Sequence, residues 1–122
     1  MSRDLITFVR ARLDEDEQTA RSARDHFSWR AGEGESKVLP VVALASGSFC
    51  IADAWYPEYA AHIARHDPAR VLREVEAKRR RLDSLAEAIA VGHDTYDLAS
   101  ELLPLEALPY ADHPEYREEW RP

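Results

Sequence analysis

His62 and His66 stand four residues apart in a stretch of helical character, His62-Ile63-Ala64-Arg65-His66, and that spacing lets two imidazoles reach one divalent ion. A glutamate at position 63 would give the zinc-hydrolase form of the motif, but Ile63 stands there. A third ligand has to arrive through the fold, from Cys50, Asp67, Asp112 or His113. The plainer alternative puts His66 at a corner between helices and His62 at the surface. Four histidines also neighbour an aspartate, in Asp25-His26, His66-Asp67, His93-Asp94 and Asp112-His113. An aspartate orients a catalytic histidine only where the two converge in space. Adjacent residues point apart, and all four pairs fall at expected helix boundaries, where capping by Asp explains them more simply.

Cys50 would be a nucleophile if a cation or a helix N-terminus lowered its pKa. It sits in Phe49-Cys50-Ile51-Ala52, an apolar strand pattern in which a thiol behaves as a small buried hydrophobe. Ser46, Gly47 and Ser48 form no G-x-S-x-G elbow, and the four glycines form no phosphate-binding loop. No catalytic residue and no cofactor are expected. Arg70, Arg73, Arg79, Arg80 and Arg81 are the candidates for phosphate contacts, but Glu74, Glu76 and Asp83 interrupt them, as on a salt-bridged solvated face. Trp55, Tyr56, Tyr110, Tyr116 and Trp120 are the candidates for a protein-contact surface, because aromatic side chains carry much of the energy at such surfaces.

These residues depend on the elements that carry them. A first helix is predicted from Ser2 to Ala23, with Leu5, Ile6, Val9, Leu13 and Ala20 on one face and Asp14-Glu15-Asp16-Glu17 solvated beside Arg10, Arg12 and Arg21. Strands are predicted at Phe27–Arg30, Val38–Ala45 and Ser48–Ala54, with Ser46-Gly47 as a hairpin turn and Pro40 making the second strand late-starting or an edge. Pro57 opens a short helix ending near His66. Asp67-Pro68 is an N-cap followed by proline at the first helical position, and the stripe Val71, Leu72, Val75, Leu82, Leu85, Ala86 and Ile89 carries that helix to Val91, with Gly92 as its stop. A further stripe runs from Tyr96 to Leu103, divided by Pro104 and Pro109 from a last turn between His113-Pro114 and Trp120. The sum is an α+β fold in a single domain over residues 1–122: an N-terminal helix, a small three-stranded antiparallel meander, a long central helix and short C-terminal helices.

Composition excludes other classes. The 122 residues are 45% hydrophobic with a net charge of −7 and one cysteine, which leaves no intrachain disulfide and no multi-cysteine metal module. Val38 to Ala45 is far shorter than the roughly 20 apolar residues of a membrane span. No signal-peptide pattern opens the chain, so a cytoplasmic location is expected. Residues 91–122 hold eight acidic and two basic groups, whereas 65–90 hold five and seven. An acidic C-terminal third opposes unspecific binding to nucleic acid.

The segment His62 to Arg80, the opening Leu5 to Glu17 and the closing Leu108-Pro109-Tyr110-Ala111-Asp112-His113-Pro114-Glu115-Tyr116-Arg117-Glu118-Glu119-Trp120-Arg121-Pro122 resemble a family of small actinobacterial proteins of unknown function, found in Streptomyces-type genomes. The resemblance implies kinship without an activity, substrate or cofactor. Many of those relatives carry cysteines where this chain has Ala86 to Leu102 and none, which speaks against a metal site common to the family. The expected role is therefore a non-catalytic interaction or regulatory module, with a protein partner or with a second copy of itself in a homodimer. A metal-binding protein using His62 and His66 is the alternative, and weak nucleic-acid binding through residues 70–81 the third.

Overall fold

Leu5, Phe8, Val9 and Leu13 recur at intervals of three and four, and all are buried on one face of helix α1, Ser2–Arg21. The computed structural model describes residues 2–23, 28–33, 40–44, 50–92 and 94–122. After α1 come β1 (Trp29–Glu33), β2 (Pro40–Leu44), β3 (Cys50–Asp53), α2 (Pro57–Arg65), α3 (Pro68–Val91) and α4 (Tyr96–Ala107). Two 3-10 turns follow, at Leu108–Tyr110 and Glu118–Trp120. Contacts group the chain into two compact units, Met1–Glu15 with Val75–Pro122, and Asp16–Glu74.

The expected α+β class is overturned, because the chain is mostly helical. Helices of 20, 9, 24 and 12 residues stand against strand segments of 5, 5 and 4. The segments pair antiparallel in the order β1-β2-β3, with Trp29 opposite Leu44 and Val42 opposite Ala52. Register slips between Val42 and Ala43, where Ile51 is passed over. No meander of the expected extent exists among the described residues, and the Ser46-Gly47 turn lies outside them. Pairing this short and interrupted cannot organise a layer of its own. Pro40 begins the middle strand, a position where its missing N–H costs one ladder bond at the end only.

In the unit Asp16–Glu74, Val42, Ala54, Ala60 and Ala64 form the buried cluster, with Trp29 and Ala52 packed against it. Ala60 and Ala64, one turn apart, give α2 a flat face that approaches the strands closely. Asp67 does two tasks there. One carboxylate oxygen accepts the Arg70 N–H at 2.9 Å and caps α3, and the other accepts the Trp29 N–H of β1 at 3.0 Å. Pro68 at the first helical position loses nothing, since that N–H has no helical partner.

In the other unit, Val75 and Leu82 of α3 are buried, as are Ala99, Leu103 and Ala107 of α4. Gly92 ends α3 with φ 71°, the left-handed conformation that a side chain resists. Pro104 lies inside α4 and does not end it, contrary to the division expected there. The missing hydrogen bond is outweighed by the face Ala99, Leu103 and Ala107, which stays buried only if the helix continues past the proline.

Replacing Asp67 by Ala removes the α3 cap and the acceptor for Trp29 together. We expect a loss of about 2 kcal/mol in urea denaturation, with Asp67→Asn intermediate because its amide keeps one acceptor oxygen.

Candidate functional site

Arg12 occupies a core position on α1, between Val9 and Leu13, and is only 7% exposed. A guanidinium there must find acceptors. Its Nη1 lies 2.8 Å from Nδ1 of His113 and 3.2 Å from Glu115, and its Nη2 donates to Glu15 at 3.0 Å. The same Nη1 lies 2.6 Å from His113 Nε2, and His113 Nδ1 also accepts the Glu115 N–H at 3.1 Å. The Arg12 Nε–H is buried without a partner. The guanidinium also lies over the Phe8 ring, 5.1 Å from its centroid.

Phe8 gathers the rest of the C-terminal residues. Its ring meets those of Tyr110, His113, Tyr116 and Trp120, with Trp120 nearest at 5.1 Å. Arg117 lies over the Trp120 ring, 5.2 Å from its centroid, and pairs with Asp4 at 3.1 Å. An open cleft of about 450 Å³ adjoins this cluster, lined by Phe8, Ala11 and Trp120 with Asp4, Glu115 and Arg117 at its rim. Beyond it, an ion pair with Arg121 holds the Glu118 carboxyl below its ordinary range, chiefly through the hydrogen bond. That contribution to stability is present at neutral pH and fades as pH falls through the carboxyl range, and full exposure keeps it small.

The aromatic candidates therefore divide. Trp120 is 3% exposed, and Tyr110 and Tyr116 are half-buried in the same cluster. All three hold the C-terminal residues to α1. Trp55 is 80% exposed, and Tyr56 and Tyr59 are exposed beside it, their rings edge to face at 5.3 Å.

The metal candidates divide as well. His113 is engaged by Arg12, and a cation against it would meet a guanidinium. His62 and His66 do come together, ring centroids 4.3 Å apart. Among the described residues, no group of three or more His, Cys, Asp or Glu side chains is placed to hold a metal ion. The Cys50 side chain and the pairs Asp25-His26 and His93-Asp94 cannot be placed, falling wholly or partly outside the described residues. Of the four His–Asp neighbours, Asp67 makes the cap that capping predicts.

The basic helix is largely paired. Arg70 meets Glu74, Arg79 meets Asp14, Arg80 meets Glu76 and Arg81 meets Glu106, while Arg73 is exposed. The Glu106 carboxylate raises the Arg81 pKa further through its hydrogen bond. Arg10 also pairs with Asp83 on α3, and within α1 Arg12 meets Glu15 and Arg21 meets Glu17.

One feature of α4 is not among the sequence candidates. Ala99, Leu103 and Ala107 are buried on one face, while Leu98, Leu102 and Leu105 are exposed, at 57, 38 and 47%. A helix apolar on two faces has one face without a partner. Beside it, Leu85 with Arg80 and Arg81 of α3, and Leu102, Leu105 and Glu106 of α4, line an open groove of about 430 Å³. The two stripes are visible in Leu98-Ala99 and Leu102-Leu103, which place apolar residues on adjoining faces. For Phe8 and Arg12 the signal is their position on the stripe that Leu5, Val9 and Leu13 define.

The chain belongs to a family of unknown function (DUF6221), whose match spans residues 2–122. No curated protein and no solved structure gives a significant match. No helix among the described residues is long and apolar enough to cross a membrane.

Two tryptophans separate packing from surface. Trp120→Ala should cost about 3–5 kcal/mol in denaturant unfolding, since it empties the space against Phe8. Trp55→Ala should change stability by less than about 0.5 kcal/mol, because the residue is solvated already.

Proposed function

We propose that this protein is a non-catalytic interaction module whose contact face is the outer side of α4. The carrying observation is the exposure of Leu98, Leu102 and Leu105 along a helix whose adjoining face is already buried. Leaving such a stripe in water forgoes roughly 25 cal/mol for each Å² that a partner would cover. The partner that fits is a second copy of the chain. Arg80 and Arg81 of α3 and Glu106 of α4 line the groove, and the acidic Asp97 and Glu101 lie on α4 beyond the leucines. A two-fold contact sets the leucines of each copy against those of the other, with Asp97 and Glu101 turned toward the basic side of the partner copy. Trp55 and Tyr56 supply a second exposed surface, available to a different protein.

Sedimentation equilibrium tests this directly. The wild-type chain is expected to form a dimer, and the Leu102→Glu, Leu105→Glu double variant a monomer of unchanged helix content, because both residues are exposed in the single chain. A wild-type monomer at high protein concentration, or a dimer that survives the double substitution, refutes this contact face. Trp55→Ala with Tyr56→Ala should leave the dimer intact.

A further inference from the structure

His62 and His66 carry more than their spacing. Their rings lie 4.3 Å apart and are inclined by only 37°, so the two imidazoles share one side of the last turn of α2. Both residues are exposed. His66 Nδ1 stands 2.7 Å from the His62 carbonyl oxygen, which can only accept. Nδ1 is therefore the protonated nitrogen, and the neutral ring presents a bare lone pair at Nε2. A backbone carbonyl that fixes the tautomer and the ring orientation is the usual support behind a metal-ligating histidine. The carbonyls at the end of α2 add partial negative charge at the same place, which favours a cation.

From these observations we infer that His62 and His66 form a two-ligand surface site for a late first-row divalent ion such as Cu2+, Ni2+ or Zn2+. Imidazole pairs suit these ions and do not suit Mg2+ or Ca2+, which seek oxygen. The carboxylate nearest in sequence, Asp67, is committed to the N–H groups of Trp29 and Arg70, so the remaining coordination positions fall to water. Arg65 and Glu58 are the charged residues flanking the pair on α2. An ion bridging positions 62 and 66 clamps the final turn of α2 and stabilises the folded chain by mass action.

Calorimetric titration of tag-free protein with Cu2+ and with Zn2+ reads the site, together with the thermal midpoint. One equivalent should bind, Cu2+ more tightly than Zn2+, with a rise in midpoint and no saturable response to Mg2+. His62→Gln and His66→Gln should each abolish that equivalent while leaving the metal-free midpoint unchanged, since both side chains are at the surface. Absence of binding by the wild-type chain overturns the inference. So does a stoichiometric site that persists in the double variant.

Discussion

A guanidinium is tolerated in a protein interior only when acceptors surround it, and the acceptors of Arg12 come from opposite ends of the sequence. Glu15 is one turn away on the same helix, but His113 and Glu115 arrive from the C-terminal residues. Those residues have little regular structure, two 3-10 turns of three residues each, so their own backbone hydrogen bonds cannot hold them in place. Their order depends on what they meet along α1. Phe8 and Arg12, one turn apart, offer a ring and a charge, and the C-terminal residues answer with Tyr110, His113, Tyr116 and Trp120. Each half makes the other admissible: without His113 and Glu115 the Arg12 charge would be desolvated with too few partners. Without Phe8, Trp120 would lose its nearest ring neighbour.

The opening helix and the closing segment are two sides of one packed cluster, so residues more than 100 positions apart answer to the same constraint. A histidine and an acidic residue near the end of the chain then read as support for an arginine. His113 is accordingly committed to Arg12 and to the Glu115 backbone. Its Nδ1 lone pair is occupied by N–H groups and its ring is packed edge-on to Phe8.

Local signals with a single physical meaning were legible from the residues alone. Asp67-Pro68 opens a helix because the carboxylate satisfies an otherwise orphaned N–H and the proline has none to satisfy, and α3 begins there. Gly92 closes it because only glycine accepts a positive φ without strain. Signals with two meanings were not legible. The β-branched residues around Val42 favour pairing but do not say how long the pairing lasts, and it stops after four or five residues. Pro104 weakens a helix, yet the gain from burying Leu103 and Ala107 on one face is a tertiary term that periodicity cannot weigh.

The same limit governs the surface. Trp55 and Trp120 are one residue type, and nothing in the type decides between them. Trp120 has Arg117 one turn before it and Phe8 to receive it, so it goes inside. Trp55 stands between the end of β3 and the proline that opens α2, where no side chain among the described residues covers the indole. On α4 the ambiguity is sharper, because leucines and alanines populate two adjoining faces and either satisfies a helical period. The small face, Ala99, Leu103 and Ala107, went to the interior, since alanines allow close approach of the helix. The larger leucines were left outside, where the transfer of their area from water is still unrealised. Stability of the single chain does not account for three leucines on that side. On the proposed reading, a contact made after folding does.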